Sequence, residues 1–206
     1  MSTIGFYLKQ WPVAGRWLLI SLLAMSLWSC ASAPPARVGD ACAIYAERDG
    51  FLNNWQRHTR NASREFGIPE HVILATIWQE SRFEARARPP RTRLLGVIPW
   101  RRPSSAYGYA QALDSTWAWF LESTGTSRTA RRSSYKHAAR FVAWYHAQSH
   151  RINGIATHDA YNLYLAYHEG HGGYRRGTYR NKAWLLNVAQ RVQNMARTYE
   201  QQLARC

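Results

Sequence analysis

Pro69-Glu70-His71-Val72-Ile73-Leu74-Ala75-Thr76-Ile77-Trp78-Gln79-Glu80-Ser81 decides how the chain is read. Pro69 suits the first turn of a helix, where its missing N–H costs nothing. Val72, Ile73, Leu74, Ala75, Ile77 and Trp78 make that helix apolar on nearly every side, which predicts a buried helix. Glu80 follows Ile77 by three residues and Ile73 by seven, so its carboxylate falls on a stripe that is otherwise apolar. Burial disfavours the charged form and leaves a carboxylic acid able to donate a proton near neutral pH. General-acid cleavage of a glycosidic bond needs that state. The alternative is a structural ion pair between Glu80 and an arginine such as Arg82.

On the N-terminal side the pattern predicts helices over residues 41–48 and 51–66, with Gly67 as a stop. On the C-terminal side Asp114 reads as the N-cap of a helix over residues 115–122, closed by Gly125. Ser133 or Ser134 opens a longer helix to His150, and Asn153 and Gly154 form a turn. Asp159 caps a helix whose Leu163, Leu165, Ala166 and Tyr167 face a core, and the glycines at 170, 172 and 173 end it. The last helix, residues 181–201, carries an amphipathic stripe of Trp184, Leu185, Val188, Val192, Met195 and Tyr199. No internal repeat, glycine-rich phosphate loop or long run of alternating β-branched residues interrupts this pattern. The expected fold is all-α, a single domain with little or no sheet.

The 206 residues, 46% hydrophobic, suffice for one good core. Basic residues number 27 against 12 acidic, a net charge of +15, and 24 of the 27 are arginine. Arginine binds planar anions in forks, so nucleic acid, anionic lipid and a carboxylate-bearing wall polymer all fit. Compartment decides among them. Lys9 and Arg16 precede an uncharged apolar run over residues 17–28, right for a signal-peptide core and short for a bilayer span. Export argues against nucleic acid as a partner.

Leu27-Trp28-Ser29-Cys30 resembles the lipobox of bacterial lipoproteins, although Trp28 is bulkier than usual there. The resemblance implies lipidation of Cys30, a signal peptide over residues 1–29, and anchoring to a membrane. The alternative is an ordinary cysteine in a plain secretory signal. Ala31 and Ser32 stand where aspartate is linked with inner-membrane retention, which implies the outer membrane, facing the periplasm. Residues 30–39, rich in alanine and proline, read as a tether, and residues 40–206 as the domain. Once Cys30 is lipidated, Cys42 and Cys206 are the remaining thiols in an oxidising compartment, so a disulfide between them is expected. It would contribute about 3–5 kcal/mol in the chain-entropy picture. Two unpaired buried thiols are the alternative.

Three motifs carry a second resemblance. Gln79-Glu80-Ser81-Arg82-Phe83 is similar to the glutamate-serine motif of soluble-lytic-transglycosylase (SLT) domains, and Gly108-Tyr109-Ala110-Gln111 with Thr116 and Trp117 to their glycine-to-glutamine motif. Ala166-Tyr167-His168-Glu169-Gly170 is similar to their alanine-tyrosine-asparagine-alanine-glycine motif, with His168 in place of asparagine. The order is right, and the resemblance spans about residues 62–200. It implies a lysozyme-like fold around a glycan cleft and a monomer acting on peptidoglycan strands without a cofactor. Glu80 would protonate the bond between N-acetylmuramic acid and N-acetylglucosamine, then take the proton of the muramyl C6 hydroxyl, leaving a 1,6-anhydro end. Ser81, Tyr109, Gln111, Tyr167 and His168 would bind or position substrate. Core or turn hydrogen bonding is the alternative for Gln111 and Tyr167, and a simple helix end for Ser81.

A two-carboxylate hydrolase needs a second acid, and the candidates are weak: Glu84 lies among arginines, Asp114 reads as a cap, and Glu169 sits beside a glycine loop. Lysozyme-like hydrolysis through Glu169 or Asp114 stays open, as does a non-catalytic wall-binding protein. Residues 86–102 form an insertion longer than the family pattern, which reads as a lid or rim that grips carboxylates or a membrane, or as a solvated loop. His168, Glu169 and His171, with His146 and His158 upstream, lack the spacing of a zinc helix, so no metal site is expected.

Overall fold

The computed structural model describes residues 33–51, 53–94, 98–99 and 102–206. The expected signal peptide and Cys30 lie outside them, as do Leu95 and Trp100 of the insertion. Seven helices follow in order: α1 (Ala41–Glu47), α2 (Trp55–Phe66), α3 (Glu70–Ser81), α4 (Asp114–Thr124), α5 (Tyr135–Asn153), α6 (Ala160–Arg176) and α7 (Ala183–Leu203). The fold is all-α. Its sole sheet among the described residues is an antiparallel pair of two-residue strands, β1 (Arg93–Leu94) and β2 (Ile98–Pro99), inside the insertion.

Helix α3 is the centre of the domain because it has no polar face to give to water. Val72, Ile73, Leu74, Ala75 and Ile77 are fully buried, and α2, α5, α6 and α7 surround them. Thr76 sits in the same interior and settles its hydroxyl on the Val72 carbonyl and on His146 Nε2 of α5, at 3.0 and 2.8 Å. Glu70 favours the positive end of the helix dipole and accepts a hydrogen bond from the Tyr45 hydroxyl at 3.0 Å. A second part of the core is aromatic: Trp55 stacks on Tyr135 at 3.9 Å, with Phe83 and Tyr109 against its other sides.

Several boundaries differ from the sequence expectation, three of them for a clear physical reason. Helix α2 starts at Trp55 rather than near Phe51, because the Asn54 side chain caps it by accepting from Arg57 N at 2.7 Å. Asp114 is the first residue of α4 rather than its cap: its carboxylate turns to Arg132 at 2.7 Å, and Leu113 holds the cap position. Helix α6 does not end at its glycines. Only Gly170 leaves helical geometry (φ 73°, ψ 159°), kinking the helix, while Gly172 and Gly173 continue it to Arg176.

The two ends of the domain are tied together. A disulfide joins Cys42 to Cys206 across 164 residues, with Cα atoms 6.0 Å apart. Beside it, Gln202 accepts from Ala41 N at 2.8 Å and donates to Gly39 O at 3.2 Å, and the Tyr199 hydroxyl donates to Val38 O. Ala36 N also reaches Glu47 at 3.0 Å. The last residues of the stretch read as a tether therefore lie along the fold.

Candidate functional site

The last turn of α3, the turn after Tyr107 and the first half of α6 meet at one place, and each brings one of the three sequence motifs. Glu80 is half-buried at the end of α3. Burial pushes its carboxyl up to about 7, against a hydrogen bond from Tyr164 that lowers it. Among the described residues no ion pair reaches Glu80, and the Arg82 guanidinium lies over the Trp78 ring at 3.5 Å instead. This is the electrostatic state that the apolar stripe predicts: desolvation with no compensating cation.

Immediately beyond, Arg82 and Phe83 both take positive φ, 52° and 62°. Two consecutive left-handed residues without glycine are costly. Phe83 is held there by complete burial against Trp55. This double turn stops the helix right after the acid and sends the chain away from it.

Ser81 and the third motif clasp the Gly108 turn through its backbone. Ser81 Oγ donates to Tyr109 O at 2.8 Å, and the Tyr167 hydroxyl donates to Ala110 O at 2.6 Å. Gln111, itself at φ 47°, folds its amide back onto Gly108 O and Ala87 O at 2.8 and 3.0 Å. Gly108 is required by space as well as by its φ of 79°: a Cβ would stand 2.2 Å from Arg132 O. The Tyr109 ring is buried in the aromatic core, so its contribution to the site is its carbonyl.

A cavity of about 220 Å³ opens beside this clasp, lined by Gln111, Leu113, Thr116, Tyr145, Tyr167 and His168 among others. Tyr167 links it to the acid, since burial and then the Glu80 charge raise its phenol far above the ordinary value. Tyr164, one helical turn before Tyr167, carries the direct contact with Glu80. The sequence reading missed it. Its spacing of three from Tyr167 on the same helix was the available signal. A larger hollow of about 520 Å³ around Glu65, Arg140 and Arg151 lies away from all three motifs, so size alone does not select the site.

Two of the other carboxylates near the motifs, Glu169 and Asp114, are committed to cations. The Glu169 side chain is 5% exposed and is held by Lys182 at 2.7 and 2.8 Å, by Thr178, and by His168 at 3.1 Å. Burial would raise its carboxyl, but these hydrogen bonds outweigh it and hold it at about 2. Asp114 is paired with Arg132 and largely exposed, and Glu84 is exposed. The histidines disperse too: His168 meets the Trp184 ring edge-on at 5.1 Å, His171 stacks on Tyr145 at 4.4 Å, and His146 is buried against Thr76. Among the described residues no group of three or more His, Cys, Asp or Glu gathers as metal ligands would.

An all-helical fold with one desolvated glutamate that lacks a partner cation, beside a small cleft, defines a lysozyme-like domain. A family model described as the transglycosylase SLT domain matches residues 18–206, and the chain belongs to that family. Membership of that family points to lytic transglycosylase action on cell-wall peptidoglycan in the envelope and implies binding of glycan strands. No curated protein matches the chain.

Proposed function

We propose that this chain cleaves the β-1,4 bond between N-acetylmuramic acid and N-acetylglucosamine without water, using Glu80 as its single catalytic group. The protonated carboxyl donates to the glycosidic oxygen as the bond from muramyl C1 breaks. The muramyl C6 oxygen then bonds to C1, its proton returns to Glu80, and a 1,6-anhydro end is left. Tyr164 steadies the transient carboxylate by hydrogen bonding. Ser81 and Tyr167 act by holding the Gly108 turn at the cleft, with the Tyr109 carbonyl as one of the held groups. Gln111 and His168 meet the sugar. The chain works as a monomer, lipidated at Cys30 and held at the outer membrane facing the periplasm.

The observation that carries this reading is the contrast between two acids: one held near 7 with no partner cation, the other locked at about 2 by a lysine. That inventory supplies one proton donor, while Glu169 and Asp114, the carboxylates nearest the cleft motifs, are both engaged by cations rather than free to activate water. The test is digestion of purified peptidoglycan by wild type and Glu80→Gln, with soluble fragments identified by mass. Anhydro-ended fragments that disappear in the variant are expected. Reducing ends would mean hydrolysis, and sedimentation with the wall without release of fragments would mean a binding protein.

A further inference from the structure

Adjoining the cleft lies a further hollow, of about 480 Å³, with a lining rich in arginine. Arg86, Arg131 and Arg132 line it together with Tyr107, Trp117 and Ser133, and no carboxylate does. The hollow and the cleft share one segment: Thr116 lines the cleft and Trp117 the hollow. Arg132 is partly spent, bonding Asp114 at 2.7 Å and the carbonyls of Ala112 and Ser105 at 2.7 and 3.0 Å. Arg86 and Arg131 are exposed and form no ion pair among the described residues. Tyr107 carries the guanidinium of Arg88 over its ring at 4.4 Å and that of Arg132 at 5.4 Å.

Guanidinium groups around a concave, partly aromatic surface suit planar carboxylates attached to a small organic body. The hollow adjoins the cleft through the neighbouring residues Thr116 and Trp117, which favours a carboxylate borne by the glycan over a lipid surface. We propose that this hollow binds the free carboxylates of the peptide stem borne by the glycan, with Arg86 and Arg131 as the gripping groups. The proposal rests on the reading of the cleft as a peptidoglycan site. It makes the chain a reader of the peptide as well as of the sugar, because strand and stem are engaged at adjoining sites.

The test is binding, which does not depend on turnover. The full chain is titrated calorimetrically with a disaccharide bearing a stem peptide with free carboxyls, and with the same compound amidated at those carboxyls. Amidation is expected to weaken binding about tenfold, the size of one lost charge-assisted hydrogen bond. The double variant Arg86→Ala/Arg131→Ala is expected to bind both compounds alike, while Arg197→Ala, on the exposed side of α7, still discriminates between them. Equal binding of the two compounds by wild type would overturn the proposal. So would undiminished discrimination by the double variant, or loss of binding to anionic vesicles with stem binding intact. Discrimination without any cleavage of peptidoglycan would uphold this site while refuting the reaction assigned to Glu80.

Discussion

Replacing Glu80 by glutamine should stabilise the fold, and by an amount that depends on pH. Burial moves this carboxyl from 4.5 to about 7, so the folded chain holds the proton more tightly than the unfolded chain does. Wild-type stability is therefore greatest below about pH 4.5, falls as pH rises through that interval, and levels off above 7. At 1.36 kcal/mol per pKa unit the interval amounts to about 3 kcal/mol, a ceiling reached near pH 8. Glutamine fills the same space, keeps an oxygen for Tyr164, and has no charge to desolvate. For a domain of this size about 3 kcal/mol corresponds to a rise in Tm of roughly 6–12 °C. Thermal unfolding of both proteins should show Tm values that nearly coincide at pH 4 and diverge to that extent at pH 8, with the variant higher. A difference that is constant with pH, or a wild type that gains on the variant as pH rises, would falsify the account of Glu80 as a desolvated, unpaired acid.

The remaining predictions test its surroundings. Tyr164→Phe removes the hydrogen bond that lowers the Glu80 value, so the alkaline limb of the pH–rate profile should move upward; an unmoved limb would show that the phenol does not touch the acid in solution. Gly108→Ala drives a Cβ into Arg132 O at a φ of 79° and should cost about 2 kcal/mol or more in urea unfolding. Glu169→Gln leaves Lys182 without its partner and should cost about 1–3 kcal/mol at neutral pH. Because the Glu169 value is depressed to about 2, that loss should shrink as pH falls below about 4.5 toward 2, which acid titration of both proteins followed by circular dichroism can check.

What was legible in the sequence was whatever a single helix can state about itself. The apolar run from Val72 to Ile77 announced a buried helix, and an acid on the same stripe announced the direction of its pKa. Cys42 and Cys206 could be paired by compartment alone. What escaped depended on residues distant in the chain. Glu169 looked like a loose acid beside glycines because Lys182, which locks it, lies beyond the kink at Gly170. Asp114 looked like a cap because Arg132, its partner, belongs to another loop. Tyr164 carries no signal of its own in the sequence, and only the placement of α6 against the end of α3 turns its hydroxyl toward Glu80.

The clasp around the Gly108 turn also bears on how this cleft can be varied. Ser81 and Tyr167 bind main-chain oxygens, those of Tyr109 and Ala110, so they read where the chain passes rather than which side chains it carries. A substitution at Ala110 leaves both hydrogen bonds available, whereas a single residue inserted or deleted between Gly108 and Gln111 shifts every carbonyl by one place and releases α3 and α6 together. Libraries meant to retune the cleft should therefore exchange side chains and leave the length of this turn alone.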